Sequence, residues 1–466
     1  MDISSLTGAD KPEQAEPKIE YGAQMTAPLF SGEVKLTVGE NALTASGLFD
    51  AADIPYAELN ELTLADHIVT VRADSGDYAF ARMGSWAQPF HDALYDAYNK
   101  AVIRSLFVSG QPILTATGDI SLAEDGVSME CRRIPVHVYE NCVVALPPKI
   151  GARRIPLCFA GGLDKGDYTL TLKIDAGESC TFARLGYDTA PFADAVEKQI
   201  RKLREKAMTA VRELDPTLNA AQASRIAGLM PEGAAASMGQ LNGIAPSFTA
   251  ALEARIAETR AADSYRVFKE LCDPAQIWVG ISRMENGEWR MENEDDGNGA
   301  VQNPNHSQFQ PQSGVIWLIA PSPDGQYATV EFAEADTATF VYRTDGDFDG
   351  FARRLNRALE AISFRREAIR LSDEELRRPE NAACYMAAKR TASLRFIRAG
   401  FAGRVIHSGP ESWKRKLLAL WNTSYTASDT AGRLAGQAPR PKFCGGCGAV
   451  LALGEKFCGH CGVRIR

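Results

Sequence analysis

No apolar run in this chain approaches the ~20 residues needed to cross a bilayer, and the candidate Val315 to Ala320 is far too short. The amino terminus is acidic and polar, without the apolar core of a secretory leader, so a soluble, cytoplasmic protein is expected. Walker loop, dinucleotide-binding glycine fingerprint, HExxH and GxSxG are all missing, which removes the commonest sequence supports for nucleotide, metalloprotease and hydrolase chemistry. Histidine is scarce, and His67, His91, His137, His306 and His407 are scattered without a Ser, Cys or metal-binding partner pattern. A protein that is not an enzyme is the expectation.

What is present is globular. Hydrophobic residues make up 45% and charged residues 24%, values that exclude a wholly disordered, collagen-like or disulfide-dense chain. The 466 residues amount to roughly three domain lengths at about 150 each, so several cores are expected. The net charge of −8 conceals an asymmetry. Residues 352 to 466 hold 22 Lys and Arg against 9 Asp and Glu, a local +13, and the first 351 residues therefore carry −21. Opposite charge at the two ends supports contact between them, or leaves the basic end for an acidic partner such as nucleic acid or an anionic membrane. Arg-rich helices with a solvated face would give the same count.

The chain repeats itself. Phe80-Ala-Arg-Met-Gly84 recurs as Phe182-Ala-Arg-Leu-Gly186, and Pro89-Phe90 as Pro191-Phe192, at an offset of 102 residues. A repeat of that length is a duplicated small domain rather than a solenoid unit. Upstream of the first anchor, residues 33–38, 62–64, 68–71 and 78–80 alternate as strands do, and residues 120–122, 136–138, 168–172 and 180–182 follow suit in the second copy. Downstream the period becomes helical, with Phe90, Leu94, Ala97 and Tyr98 in one copy and Phe192, Val196, Ile200 and Leu203 in the other. Strands closed by one carboxyl-terminal helix resemble a pleckstrin-homology or GRAM-like module. A weaker third copy runs from Gln276 to Ile362, with Phe340 in the place of Phe80 and Phe182.

The resemblance implies an α+β multidomain chain of tandem, partly open β-barrels, each capped by a carboxyl-terminal helix and separated by helical spacers. The expected order is a disordered tail (1–28), module one (29–108), module two (112–208), a helical hairpin (209–262), module three (263–366) with a mobile polar loop (293–314), a helical region (367–422), a flexible tether (423–442) and a terminal zinc ribbon (443–466).

That last element carries the chemistry. Cys444, Cys447, Cys458 and Cys461 form two CxxC knuckles within eighteen residues, and flanking glycines permit the tight turns through which amides approach sulfur. Four thiolates satisfy one tetrahedral structural Zn2+. So short a segment cannot stabilise itself by apolar burial, whereas zinc in small finger peptides contributes roughly 10–16 kcal/mol near neutral pH. Two disulfides, or a redox dithiol, are the competing readings. Neither an oxidising compartment nor a thioredoxin-like βαβ context supports them. The segment resembles the zinc ribbons at the ends of many bacterial proteins, and all four ligand positions match.

Other signals are weaker. Arg132, Arg133, Lys149, Arg153, Arg154 and Lys165 are candidates for an anion-binding patch in module two. Trp413, Leu417, Leu420 and Trp421 share one helical face, suited to a partner's groove, a membrane surface or the third module. Asp345, Asp347 and Asp349 resemble the opening of a calcium loop, but Asn356 stands at its twelfth position, and a turn with Asp349 as helix cap is favoured. Cys131, Cys142, Cys158, Cys180, Cys272 and Cys384 lack ligand spacing and are expected as small apolar residues. The combined expectation is an adaptor or scaffold that binds a protein partner or an anionic membrane surface. A nucleic-acid-associated protein using its basic carboxyl half is the runner-up.

Overall fold

The computed structural model describes residues 20–28, 30–124, 127–146, 153–174, 178–282, 315–333, 338–365, 367–407, 409–421, 442–443 and 450–451. The fold is α+β with antiparallel sheets, and it divides into two compact units, Met1–Ile103 with Pro148–Ile150 and Arg104–Pro147 with Gly151–Arg466. The polar loop 293–314 lies outside the described residues, as does nearly all of the 423–442 tether.

The first unit is a seven-stranded sheet: β1 (Glu20–Thr26), β2 (Gly32–Val38), β3 (Ala42–Ser46), β4 (Ala51–Pro55), β5 (Leu59–Ala65), β6 (Ile68–Ala73) and β7 (Gly76–Ala81), followed by α1 (Ala87–Ser105). Its strand order is β4-β3-β2-β1-β7-β6-β5. The module thus opens at Glu20, ahead of the expected boundary at residue 29. Tyr21, Ala23 and Met25 alternate inward along β1, and Met25 pairs with Phe80 in the join that links the two halves of the sheet.

The second unit begins with the same design. Strands β8 (Leu114–Glu124), β9 (Val127–Val138), β10 (Cys142–Ala145), β11 (Arg153–Pro156), β12 (Ala160–Gly166), β13 (Thr169–Ile174) and β14 (Ser179–Ala183) are ordered β11-β10-β9-β8-β14-β13-β12, and α2 (Thr189–Leu214) follows. The two sheets share strand order and terminal helix, and the repeated residues sit at the same corner in each. Phe80 and Phe182 are fully buried and meet Phe90 and Phe192 at centroid distances of 5.8 and 4.9 Å. Between strand and helix the backbone passes through left-handed conformations at Arg82 (φ 59°) and Gly84 (φ 57°), and again at Arg184 (φ 55°) and Gly186 (φ 61°). Glycine takes such angles without a Cβ penalty, which is the physical reason it recurs. Pro89 and Pro191 lie in the first helical turn, where no amide hydrogen is required.

The third region does not repeat this order. After α3 (Ala220–Leu229), β15 (Ala236–Ser237), α4 (Met238–Ile244), α5 (Pro246–Ala257) and α6 (Ala262–Leu271) come β16 (Trp278–Ser282), β17 (Val315–Pro321), β18 (Tyr327–Phe332) and β19 (Ala338–Arg343). Then follow α7 (Phe348–Ala361), α8 (Glu367–Arg370), α9 (Asp373–Leu376), α10 (Ala382–Arg390), α11 (Ala392–Gly400), β20 (Phe401–Ile406) and α12 (residues 410–421). The sheet runs sequentially from β15 to β20. Two expectations are corrected here. The hairpin of 209–262 is a run of short helices that contributes an edge strand, and the helical region 367–422 contains β20, which completes the sheet.

Helices cover both faces of this sheet. Ile316, Leu318 and Ala320 pack with α3–α6 and α12, whereas Trp317 and Ile319 pack with α7–α11. A strand buried on both sides reads as a continuous apolar run, which explains the unbroken apolar stretch from Val315 to Ala320. Phe351, Leu355, Leu359 and Ile362 of the α7 region are fully buried, each contributing about 1.5–3 kcal/mol by leaving water. Trp317 crosses Gly280 and donates its indole N–H to the Gly233 carbonyl at 3.0 Å; a Cβ at Gly280 would meet Nε1 at 2.1 Å.

Candidate functional site

Two strands frame the first CxxC in sequence. β21 (Lys442–Phe443) and β22 (Val450–Leu451) pair antiparallel, with Phe443 opposite Val450. Cys444, Cys447, Cys458 and Cys461 themselves lie outside the described residues. Among the described residues no group of three or more His, Cys, Asp or Glu is placed to hold a metal ion. The Asp345–Asp349 segment is a turn into α7, whose N-cap is Asp347 rather than Asp349: Asp347 Oδ1 accepts the Gly350 N–H at 2.9 Å.

The six basic candidates of module two do not form one patch. Arg132 and Arg133 are exposed beside Asp119, whose carboxylate accepts the Arg133 N–H at 3.0 Å and pairs with Arg184 at 3.4 Å. Lys165 pairs with Glu197 at 3.0 Å on the surface, and Lys149 lies outside the described residues. Arg153 and Arg154 are instead buried, 5% exposed as a residue and 2% as a side chain respectively. A strand with one solvated face would expose one of two consecutive arginines. β11 hides both because α7 packs along it.

This seam between β11 and α7 concentrates buried charge. Arg154 Nη1 pairs with Glu360, and Arg357 Nη1 pairs with Glu178, with all four side chains at most 12% exposed. Arg390, 1% exposed, approaches from α10. Together Arg153, Arg154, Arg357 and Arg390 line a pocket of about 50 Å³ that also contains Glu178 and the start of α11 at Thr391–Ser393. Burial disfavours the charged form of Arg154, but the Glu360 carboxylate offsets it and its pKa is raised. Cys142, in turn, is pushed up to about 11 by burial, and Cys158 well above its usual range. Neither is poised as a thiolate.

Adjoining it is a larger cavity of about 500 Å³, which shares Ile174 and Arg357 with the arginine pocket. Phe159, Leu229 and Trp278 give it apolar walls, while Lys173, Arg204, Arg353 and Arg357 bring four cations. No carboxylate lines it among the described residues. Arg204 is fixed by the carbonyls of Ala160 and Gly161 at 3.0 and 2.7 Å. Arg357 and Arg390 were not legible as site residues, because on α7 and α10 they look like the solvated face of an Arg-rich helix.

The aromatic face of α12 is occupied. Trp413, Leu417 and Trp421 are buried against the chain's own sheet, and Leu420 is half-buried there. Trp413 Nε1 donates to Thr339 Oγ1 at 2.7 Å, and Trp421 Nε1 to Thr329 Oγ1 at 3.2 Å. Thr339 also donates to Glu331, whose other oxygen lies 3.0 Å from His407. Of the readings the sequence allows for this face, packing against the third region is the one observed, and the partner or membrane docking reading is corrected. An exposed apolar feature that sequence reading missed lies in the first unit: at the β3–β4 hairpin Leu48 and Phe49 are 86% and 91% exposed, on a turn closed by the Gly47 N–H donating to Asp50 O at 2.7 Å. Two large apolar side chains at a hairpin tip are the readable signal.

No protein-family model matches the chain, and no curated protein matches it.

Proposed function

We propose that the chain is a scaffold whose first unit recognises a protein partner through the Leu48–Phe49 tip, and whose terminal segment is a zinc ribbon. The exposure of that tip carries the reading. Burying both side chains in a partner's pocket would supply the aromatic and aliphatic anchor around which interfaces are built. The shared strand order and terminal helix of the two seven-stranded sheets support pleckstrin-homology-like modules. For the ribbon, the support is the donor set of four thiols and the pairing of β21 with β22 on either side of the first knuckle.

Charge selects the kind of partner. Residues 20–103 contain 12 Asp and Glu against 4 Lys and Arg, so an anionic bilayer is repelled and a basic protein surface is favoured. Nucleic acid through the carboxyl half has less support: Arg357 and Arg390 are buried, and Arg398 and Lys414 pair with Asp373 and Glu270.

A photo-crosslinking phenylalanine analogue at position 49, introduced in the native cell, tests the reading. The expected result is one predominant protein adduct with a basic surface, lost when Leu48→Ser is added. Adducts to lipid, or none at all, would overturn it.

A further inference from the structure

We infer that the seam between β11 and α7 binds a small organic phosphate, with the phosphoryl group in the arginine pocket and an apolar body in the adjoining cavity. Four guanidiniums meet in the smaller pocket. Two of them pair with Glu178 and Glu360. Arg154 keeps its Nε buried with no hydrogen-bond partner, even though its Nη1 is bonded to Glu360. Charged donors removed from water demand an acceptor, and planar guanidiniums suit phosphate oxygens.

The start of α11 adds a second, independent feature. Thr391, Ala392 and Ser393 line the same pocket, and α11 has no side-chain N-cap and no acidic residue in its first turn. Its partial positive charge is therefore uncompensated by its own sequence, as at helix termini that bind phosphate. The Glu178 carboxylate shares the pocket and opposes an anion, but Arg357 neutralises it.

Size and lining define the rest of the ligand. A volume of about 50 Å³ admits one tetrahedral oxyanion and excludes a ring. The adjoining cavity of about 500 Å³ has the dimensions of a small-molecule site and the apolar walls such sites need. Arg357 and Ile174 line both, so a phosphate in the smaller pocket would lie next to the space proposed for its organic substituent. Arg353 at the cavity's exposed side makes no ion pair among the described residues and is available to the same ligand.

The test is calorimetric titration of the full chain, dialysed free of phosphate at constant ionic strength, with inorganic phosphate, phenyl phosphate and phenol. Inorganic phosphate is expected to bind, and phenyl phosphate about tenfold tighter, the gain of burying one small apolar group. Phenol should not bind. Arg353→Glu, an exposed change that spares the fold, should weaken phenyl phosphate about tenfold by placing a like charge beside it. Arg390→Met should abolish binding of both phosphates if its circular dichroism is unchanged. Equal affinity for the two phosphates would overturn the organic half of the proposal, and no heat with either would overturn all of it.

Discussion

Arg154 on β11 and Glu360 on α7 stand 206 positions apart and meet as an ion pair, with side chains 2% and 7% exposed. The pair joins the second seven-stranded sheet to the helix that covers the six-stranded one. Both sheets belong to one compact unit, and this pair is one of the contacts within it. Removing one charge leaves the other buried without its partner. Glu360→Gln or Arg154→Met is therefore expected to cost about 3–5 kcal/mol in the unfolding of this unit. The double variant Arg154→Met/Glu360→Leu should recover most of that loss. Urea denaturation of the three variants checks the order, and a double variant as unstable as the singles would refute a charge-based cause.

The face of α12 follows the internal one of the readings its sequence allows, packing on the chain's own sheet. Trp413 is 2% exposed, lies 5.7 Å from the Phe268 ring and donates to Thr339. Trp413→Ala should destabilise by about 3–5 kcal/mol, the cost of emptying a large buried site. Flotation with anionic vesicles should be indifferent to the substitution. Loss of vesicle binding in a variant of unchanged stability would return this face to the surface.

How far the sequence discloses the structure can be traced through single residues. Phe80, Phe182, Gly84 and Gly186 announce two equivalent corners because each does a local job: an aromatic core anchor, and a backbone angle that glycine takes freely. Phe340 is buried as its counterparts are, yet its strand belongs to a sheet of different order. One strand-to-helix corner is local information, but strand order depends on contacts distant in sequence. Arg153 and Arg154 drew attention as cations, though their burial is caused by α7, two hundred residues on. No neighbouring residue encodes that. Leu48 and Phe49 were missed because two apolar residues in a turn resemble the end of a strand.

Acid should weaken the second unit through His137. Burial holds the imidazole below its ordinary pKa of 6.5, with Thr115 Oγ1 at 2.9 Å from Nδ1. Below 6.5 the unfolded chain binds a proton that the folded chain still refuses, so protonation favours unfolding. Stability from this group is complete above pH 6.5 and declines as pH falls through that value. His137→Gln should flatten the decline that sets in as pH falls below 6.5, because no imidazole remains to titrate. Thermal midpoints of the two proteins across this range provide the measurement; parallel curves would assign the acid sensitivity elsewhere.

If the proposed zinc ribbon forms, its four thiolates also predict how the terminal segment responds to protons and to substitution. Cys444, Cys447, Cys458 and Cys461 must all be deprotonated to hold one ion, so zinc affinity should fall steeply with acid as protons compete for sulfur. Metal analysis of protein purified without chelator should return close to one zinc per chain. Cys458→Ser should lose it. Because so short a segment has little apolar surface to bury, a bound zinc would supply its folding energy, and its loss should expose the region after Lys442 to protease. The unfolding of the first unit should be unaffected, since its core of Leu36, Leu43, Val69, Phe80 and Phe90 is complete without the metal. Metal-free protein of unaltered protease resistance would refute a structural zinc, and oxidised cysteines in its place would identify disulfides.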